Sequence, residues 1–270
     1  MLIAQITDLH VTRGAELLAG RVDTHAAFSR CLERLASLDP RPDLLLVTGD
    51  LTETATDGEY AYLKAGLDRL GLPYLVVPGN HDDRAAMRRA FPDMLPAAAA
   101  DAPFCHATTR DDWPLRLIGI DSIVPRRSEG ALDAARLAWL ETEVAKASPE
   151  QPALLFMHHP PFRTGIAPMD ACGVLEGLEA FRALITRHAP RIAGILCGHV
   201  HRVIHASIAG VPVLLAPSSA HQIELDLREN APLGFCFEPS KIALHDWRPD
   251  QGLVSNYVYV ERFPGPYPFG

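Results

Sequence analysis

The 270-residue chain has no apolar run approaching the roughly 20 residues that a membrane-spanning helix needs, so no membrane partner is expected. Its first residues, Met1-Leu2-Ile3-Ala4-Gln5-Ile6, lead straight into a strand pattern without the basic segment and long apolar core of an export signal. Cysteine is scarce: the five are odd in number and form no CxxC pair. Buried, reduced thiols and a cytoplasmic location are the expectation. A basic surplus is also missing. The net charge is −8, and no basic, aromatic-rich stripe is present, which argues against a nucleic-acid polymer as partner. A nucleotide as a small substrate stays possible. Neither an internal repeat nor a linker rich in Gly, Ser or Pro divides the chain, so residues 1–270 are expected to form one domain.

Hydrophobic residues make up 48% of the chain, enough for a substantial core. Apolar runs at 2–7, 44–48, 74–77, 115–120, 153–157, 192–197 and 211–216 read as strands. Amphipathic stretches at 24–38, 59–70, 83–91, 134–146 and 174–188 read as helices, the last with Leu175, Leu178, Phe181, Leu184 and Ile185 as its apolar stripe. Strands alternating with helices imply parallel pairing and a layered α/β fold. Continuous apolarity along the strands says that both sheet faces are covered. Two segments look like decorations: an insertion near 92–112 containing the alanine run 97–100, and a C-terminal extension near 235–270. In the latter, Tyr257 and Tyr259 alternate with Val258 and Val260 as in a strand pair.

In such sheets ligands bind beyond the carboxyl ends of the strands. Five polar signatures lie there: Asp8-Leu9-His10, Gly49-Asp50, Gly79-Asn80-His81-Asp82, His158-His159 and Gly198-His199-Val200-His201. Aspartate, asparagine and histidine are the donors of a paired hard or borderline metal site. Asp8 and His10, like His199 and His201, are two residues apart and can leave the backbone on one side. Each pair alone also fits an ordinary loop. The glycine before Asp50 permits a tight turn, and a carboxylate has lone pairs enough to bridge two cations. Asn80 offers a neutral, weaker oxygen. His81 beside it can face a substrate, with Asp82 or Asp83 fixing its tautomer, and Asp82 can equally cap the helix that follows. Neighbours on a strand point to opposite sides, so only one of His158 and His159 is expected to be a ligand. His221 is a candidate donor around the site. His25, His106, His188, His205 and His245 read as surface or structural.

This set, D-x-H, G-D, G-N-H-D, H-H-P and G-H-x-H in order, resembles the calcineurin-like metallophosphoesterase superfamily across the whole chain. It is most similar to the class III cyclic-nucleotide phosphodiesterases and glycerophosphodiesterases. The resemblance implies a four-layer sandwich of two mixed β-sheets flanked by helices. It implies one metal held by Asp8, His10, Asp50 and His201, and another by Asp50, Asn80, His158 and His199. Iron, manganese, zinc and cobalt all suit such donors. By the same resemblance Asp50 and His81 are the catalytic candidates, and Asn80, His81 and His221 contact the phosphoryl group. The implied reaction is attack on a small phosphodiester, cyclic AMP or a glycerophosphodiester, by a hydroxide shared between the metals. A homo-oligomer is expected. The protein phosphatases of the superfamily carry an arginine after the second signature. Here Gly49-Asp50-Leu51-Thr52-Glu53 has none, which favours the singly charged diester unless Arg13 or Arg163 reaches the site. A superfamily nuclease, a broad phosphomonoesterase and a non-catalytic scaffold are the competing readings. No expected ligand is missing, which counts against the scaffold.

Overall fold

The computed structural model describes residues 1–14, 16–94, 99 and 101–269. In chain order it comprises β1 (Leu2–Ile6), α1 (Thr24–Ala36), β2 (Leu44–Thr48), α2 (Asp57–Arg69), β3 (Tyr74–Val77) and α3 (Arg84–Ala90). There follow β4 (His106–Thr108), β5 (Arg116–Ile120), β6 (Gly130–Ala131), α4 (Ala134–Ala145), β7 (Ala153–Met157), α5 (Ala167–Asp170), β8 (Val174–Glu176) and α6 (Leu178–His188). The chain ends with β9 (Ile192–Cys197), β10 (Ile204–Ile208), β11 (Val211–Leu215), β12 (Gln222–Ile223), β13 (Phe235–Cys236), β14 (Lys241–Arg248) and β15 (Gly252–Tyr259).

Two sheets carry the fold. One runs β15-β14-β1-β2-β3 and the other β10-β11-β9-β7-β5-β4. The inner strands pair in parallel, as the strand–helix alternation requires. The edges are antiparallel: β14 on β1, β10 on β11 and β4 on β5. Both sheets are therefore mixed. The β14–β15 hairpin extends the first sheet, and Tyr257 and Val258 lie in it as the alternating pattern implied. The alanine run at 97–100 lies outside the described residues except for Ala99.

The continuous apolar runs are explained by three apolar layers. Along β2, Leu45 and Val47 face α1 and α2, while Leu44 and Leu46 face the opposite sheet. Along β7, Leu154 and Phe156 meet the first sheet, while Leu155 and Met157 pack under α4 and α6. A strand with period 2 and helices on one side, a sheet on the other, has no polar face. The helices start where a side chain satisfies their free N–H groups. Asp23 accepts from Ala26 N at 2.8 Å, Asp133 from Arg136 N at 2.8 Å, and Thr56 forms a reciprocal capping box with Glu59. None of the described helices is long and apolar enough to cross a membrane.

One expected element is divided. The stretch 174–188 is not one helix: β8 occupies its start, and α6 begins only at Leu178. Gly177 between them sits at φ +77°, where a Cβ would come within 1.9 Å of the Leu132 carbonyl oxygen. This turn, which only glycine fits, takes Leu175 out of the stripe and leaves it 60% exposed.

A buried ion pair ties the helix after the third signature to the second sheet. Asp121, fully buried, accepts from Arg84 Nε at 2.7 Å and Nη2 at 3.1 Å, and from the backbone N–H groups of Phe104 and Ile123. Asp121→Ala should destabilise the protein by about 3–5 kcal/mol, because the arginine charge stays buried without its partner. Denaturant unfolding of Asp121→Ala and of the double variant with Arg84→Leu checks this. The double variant should recover part of the loss.

Candidate metal centre

All five signatures gather at one end of the sandwich. Asp8 and His10 follow β1, Asp50 follows β2, Asn80 and His81 follow β3, His158 and His159 follow β7, and His199 and His201 follow β9. Donor atoms of Asp8, His10, Asp50 and His201 all lie within 4.8 Å of one another. Within that group His10 Nε2 is 3.3 Å from His201 Nε2, and His201 Nε2 is 3.3 Å from Asp8 Oδ1. A second group lies beside it. His158 Nε2 is 3.2 Å from His199 Nδ1 and 3.2 Å from Asn80 Oδ1. One oxygen joins the two groups: Asp50 Oδ2 is 3.5 Å from His10 Nε2 and 3.4 Å from His158 Nε2.

The outward nitrogens fix the tautomers. His158 Nδ1 donates to the Thr48 carbonyl at 2.9 Å, His201 Nδ1 to the His221 carbonyl at 3.1 Å, and His10 Nδ1 to the Glu53 carboxylate at 2.8 Å. His199 turns Nε2 outward to Cys172 Sγ at 3.4 Å. With those protons placed outward, the inward nitrogens carry lone pairs. Lone pairs facing each other across 3.2–3.3 Å repel, and a cation between them removes the repulsion. The donor set therefore fits metal ions.

Without metal the carboxylates draw protons onto the imidazoles: burial opposes charge on His158, yet Asp50 and Asp8 push it up to about 9, and a bound cation would displace that proton. Burial opposes the charge of Asp50, yet the imidazoles of His158, His10 and His81 hold its carboxyl well below the usual range. Asp8, equally buried, is lowered chiefly by His201 and His158. His199 is pushed well below its ordinary value by burial and by His159 and His158, which keeps its lone pair free. Asp8, His10, Asp50, His199 and His201 all adopt positive φ, between 45° and 71°. Such backbone costs about 1–3 kcal/mol per residue and clusters at functional sites. Gly49, at φ +92°, lets the Asp50 turn close on His158; a Cβ there would meet the imidazole at 2.4 Å.

Other expected residues fall into place around these groups. Donor atoms of His158, His159 and His199 also lie within 4.8 Å of one another, but both ring nitrogens of His159 already have partners. Its Nδ1 accepts from Ser122 Oγ at 2.8 Å and its Nε2 donates to the Ser128 carbonyl at 3.0 Å. Burial and His158 lower it to about 3. His81 and His221 line a cavity of about 390 Å³ above both groups. Neither Arg13 nor Arg163 lines it, and no lysine or arginine does among the described residues.

The partner of His81 differs from expectation. Asp82 lies under the loops, accepting from Leu51 N, Gly79 N and Tyr60 Oη at 2.9–3.0 Å, and so braces the Asp50 loop against the Asn80 loop. Asp83, not Asp82, caps α3, accepting from Ala86 N at 2.9 Å. Neither fixes the tautomer of His81. Glu53 does: His81 Nδ1 is 3.1 Å from its carbonyl and 3.3 Å from its carboxylate. Burial opposes charge on His81, but Glu53 and Asp50 outweigh it and push the imidazole up to about 10. Glu53 thus joins a candidate ligand, His10, to a cavity-facing histidine, a role the sequence reading missed. The available signal was an acid three residues after Asp50 with no arginine in between.

Known proteins resemble this chain over most of its length. A probable glycerophosphodiester phosphodiesterase GpdQ of Arcobacter nitrofigilis is 36% identical over 269 residues, covering 100% of this chain and 97% of that protein. The 3',5'-cyclic adenosine monophosphate phosphodiesterase CpdA of Escherichia coli is 30% identical over 223 residues, covering 82% and 77%. A purple acid phosphatase from yellow lupin shares the fold, with a TM-score of 0.61 at 14% identity over 96% of this chain and 53% of that one. The calcineurin-like phosphoesterase family model matches residues 1–203, and the chain belongs to that family.

Proposed function

We propose that the protein is a metal-dependent phosphodiesterase acting on small diesters, either cyclic nucleotides or glycerophosphodiesters, with two metal ions. Asp8, His10, Asp50 and His201 would hold one ion, and Asp50, Asn80, His158 and His199 the other. The observation that carries this reading is the shared Asp50 oxygen, nearly equidistant from the two sets of inward lone pairs. Iron, manganese, zinc and cobalt are the candidate metals. When bound, such ions activate water and neutralise charge on phosphoryl oxygens.

The protein's own residues supply the rest. Glu53 orients His81 so that its Nε2 can face the cavity, where the imidazolium can hydrogen-bond a phosphoryl oxygen or protonate the departing alcohol. His221 is lowered to about 3 by burial and by His201 and His10, so it meets the substrate as a neutral imidazole. The carboxylate–histidine lining without Lys or Arg suits one negative charge rather than two. We further infer that residues 1–270 act as one unit. Five free cysteines support a cytoplasmic setting, and exposed Leu225, Leu227, Leu233 and Phe237 support a homo-oligomer. The deciding experiment compares metal-free protein with protein loaded with each metal against cyclic AMP, a glycerophosphodiester and a chromogenic diester. Metal-restored hydrolysis of at least one diester is expected, and its absence with every metal would sink the proposal.

Three variants or substrates probe the assignments. Asp50→Asn replaces the shared carboxylate by an amide. Metal content and rate should both fall, by more than the roughly 10–100-fold typical of a group that only orients a ligand. Metal analysis beside kcat shows whether that is so. His81→Ala should keep its metal content and lose roughly 10²–10⁴-fold in rate, with a smaller loss for a diester whose alcohol is strongly acidic and needs no proton. An equal loss for good and poor leaving groups would instead give His81 to the phosphoryl oxygens. Lastly, a diester and a monoester of one aryl alcohol should differ in kcat/KM in favour of the diester. The monoester should inhibit, being attracted by the ions without a matching transition-state gain.

A further inference from the structure

Of the four histidines in the paired groups, three rest their outer nitrogen on oxygen: His158 on the Thr48 carbonyl, His201 on the His221 carbonyl and His10 on the Glu53 carboxylate. His199 rests on sulfur, its Nε2 3.4 Å from Cys172 Sγ. The same sulfur is 3.4 Å from the carbonyl oxygens of Pro168 and Met169. Carbonyls only accept, so the thiol proton goes to their side and the sulfur lone pairs are left for His199. A lone pair can meet only an N–H. Nε2 of His199 therefore carries the proton. Its Nδ1, 3.2 Å from His158 Nε2, is left as a donor atom facing the second group.

The chain that follows His158 holds the thiol in place. Asp170 accepts from Thr164 N at 2.6 Å, Thr164 Oγ1 at 2.8 Å and Gly165 N at 3.0 Å, which closes the turn into α5. Cys172 N then donates to the Met169 carbonyl at 3.2 Å. We propose that Cys172 is a positioning residue for the second metal group: its sulfur accepts from His199 Nε2–H and so keeps Nδ1 presented beside His158 and Asn80. The inference rests on the metal-dependent reading of the site and deepens it. At this half-buried position a side chain without an acceptor would leave the N–H unbonded. The ring would then be free to turn or to change tautomer, and a proton on Nδ1 would oppose a cation. His201 is the internal control, because its outer bond goes to a backbone carbonyl.

The test loads the full-length protein with zinc(II), equilibrates it against a graded competing chelator and counts bound zinc by elemental analysis. Cys172→Val is close in volume but cannot accept. It should weaken one zinc by about 10-fold or more and leave the other within about 3-fold, because only one set contains His199. Cys172→Ser, whose hydroxyl also accepts, should keep both within about 3-fold. Cys172→Ala is measured beside Val, and the thermal midpoint of each variant reports folding, so that a packing defect in one leaves the other to decide. Raising zinc should return kcat of the folded acceptor-less variant to within about 3-fold of wild type, since the thiol acts through occupancy rather than on substrate. Unchanged zinc affinities in the folded acceptor-less variant, equal weakening of both zincs, or a loss in Cys172→Ser as large as in Cys172→Val overturns the role. A wild type that binds two zincs and hydrolyses no diester with any metal overturns the diesterase reading, while the zinc comparison still decides the part of Cys172. A wild type that binds fewer than two overturns both.

Discussion

Imidazole nitrogens that face one another across 3.2–3.3 Å are the constraint on which the rest of the site depends. Nothing in the apolar packing calls for them. They are held in opposition by hydrogen bonds on their outer nitrogens, to the Thr48 and His221 carbonyls, Glu53 and Cys172. Those partners come from strand ends and loops on both sheets, so the geometry exists only once both sheets have formed. The positive-φ backbone at Asp8, His10, Asp50, His199 and His201 belongs to the same constraint, since strained turns persist only where the surrounding structure over-determines them.

The sandwich provides that over-determination. Gln5, buried between the sheets, donates to Thr48 Oγ1 at 2.8 Å and to the Cys197 carbonyl at 2.9 Å, and accepts from His245 Nε2 at 3.0 Å. One side chain thus ties the ends of β2 and β9, the strands that release Asp50 and His199, to β14. Fully satisfied polar networks in a low-dielectric interior rigidify what they join. Asp82 does the same for the loops after β2 and β3.

Much of this was legible in the sequence because the physics is local. Runs such as 44–48 and 153–157 are apolar on both faces and bounded by Gly-Asp or His-His, so strand, burial and ligand position are written together. The misreadings came where a partner lies far along the chain. Leu175 fits a helical stripe by spacing alone; only the approach of the Leu132 carbonyl shows why Gly177 turns the chain first. Asp82 and Asp83 are indistinguishable as caps until Leu51, Gly79 and Tyr60 are seen to claim the former. Glu53 belongs to no strand and no motif, and its importance lies in contacts to His10 and His81, 43 and 28 residues away.

Charge sets a further consequence. The chain carries a net −8, and the site adds Asp8, Asp50 and Glu53 with no Lys or Arg along its cavity among the described residues. Apart from the His81 imidazolium, such a lining offers a phosphate ester little attraction, so bound cations would supply most of it. An arginine clamp would hold an anion whether or not metal was present, and would favour the doubly charged monoester. Without one along this cavity among the described residues, anion binding depends chiefly on the loaded state.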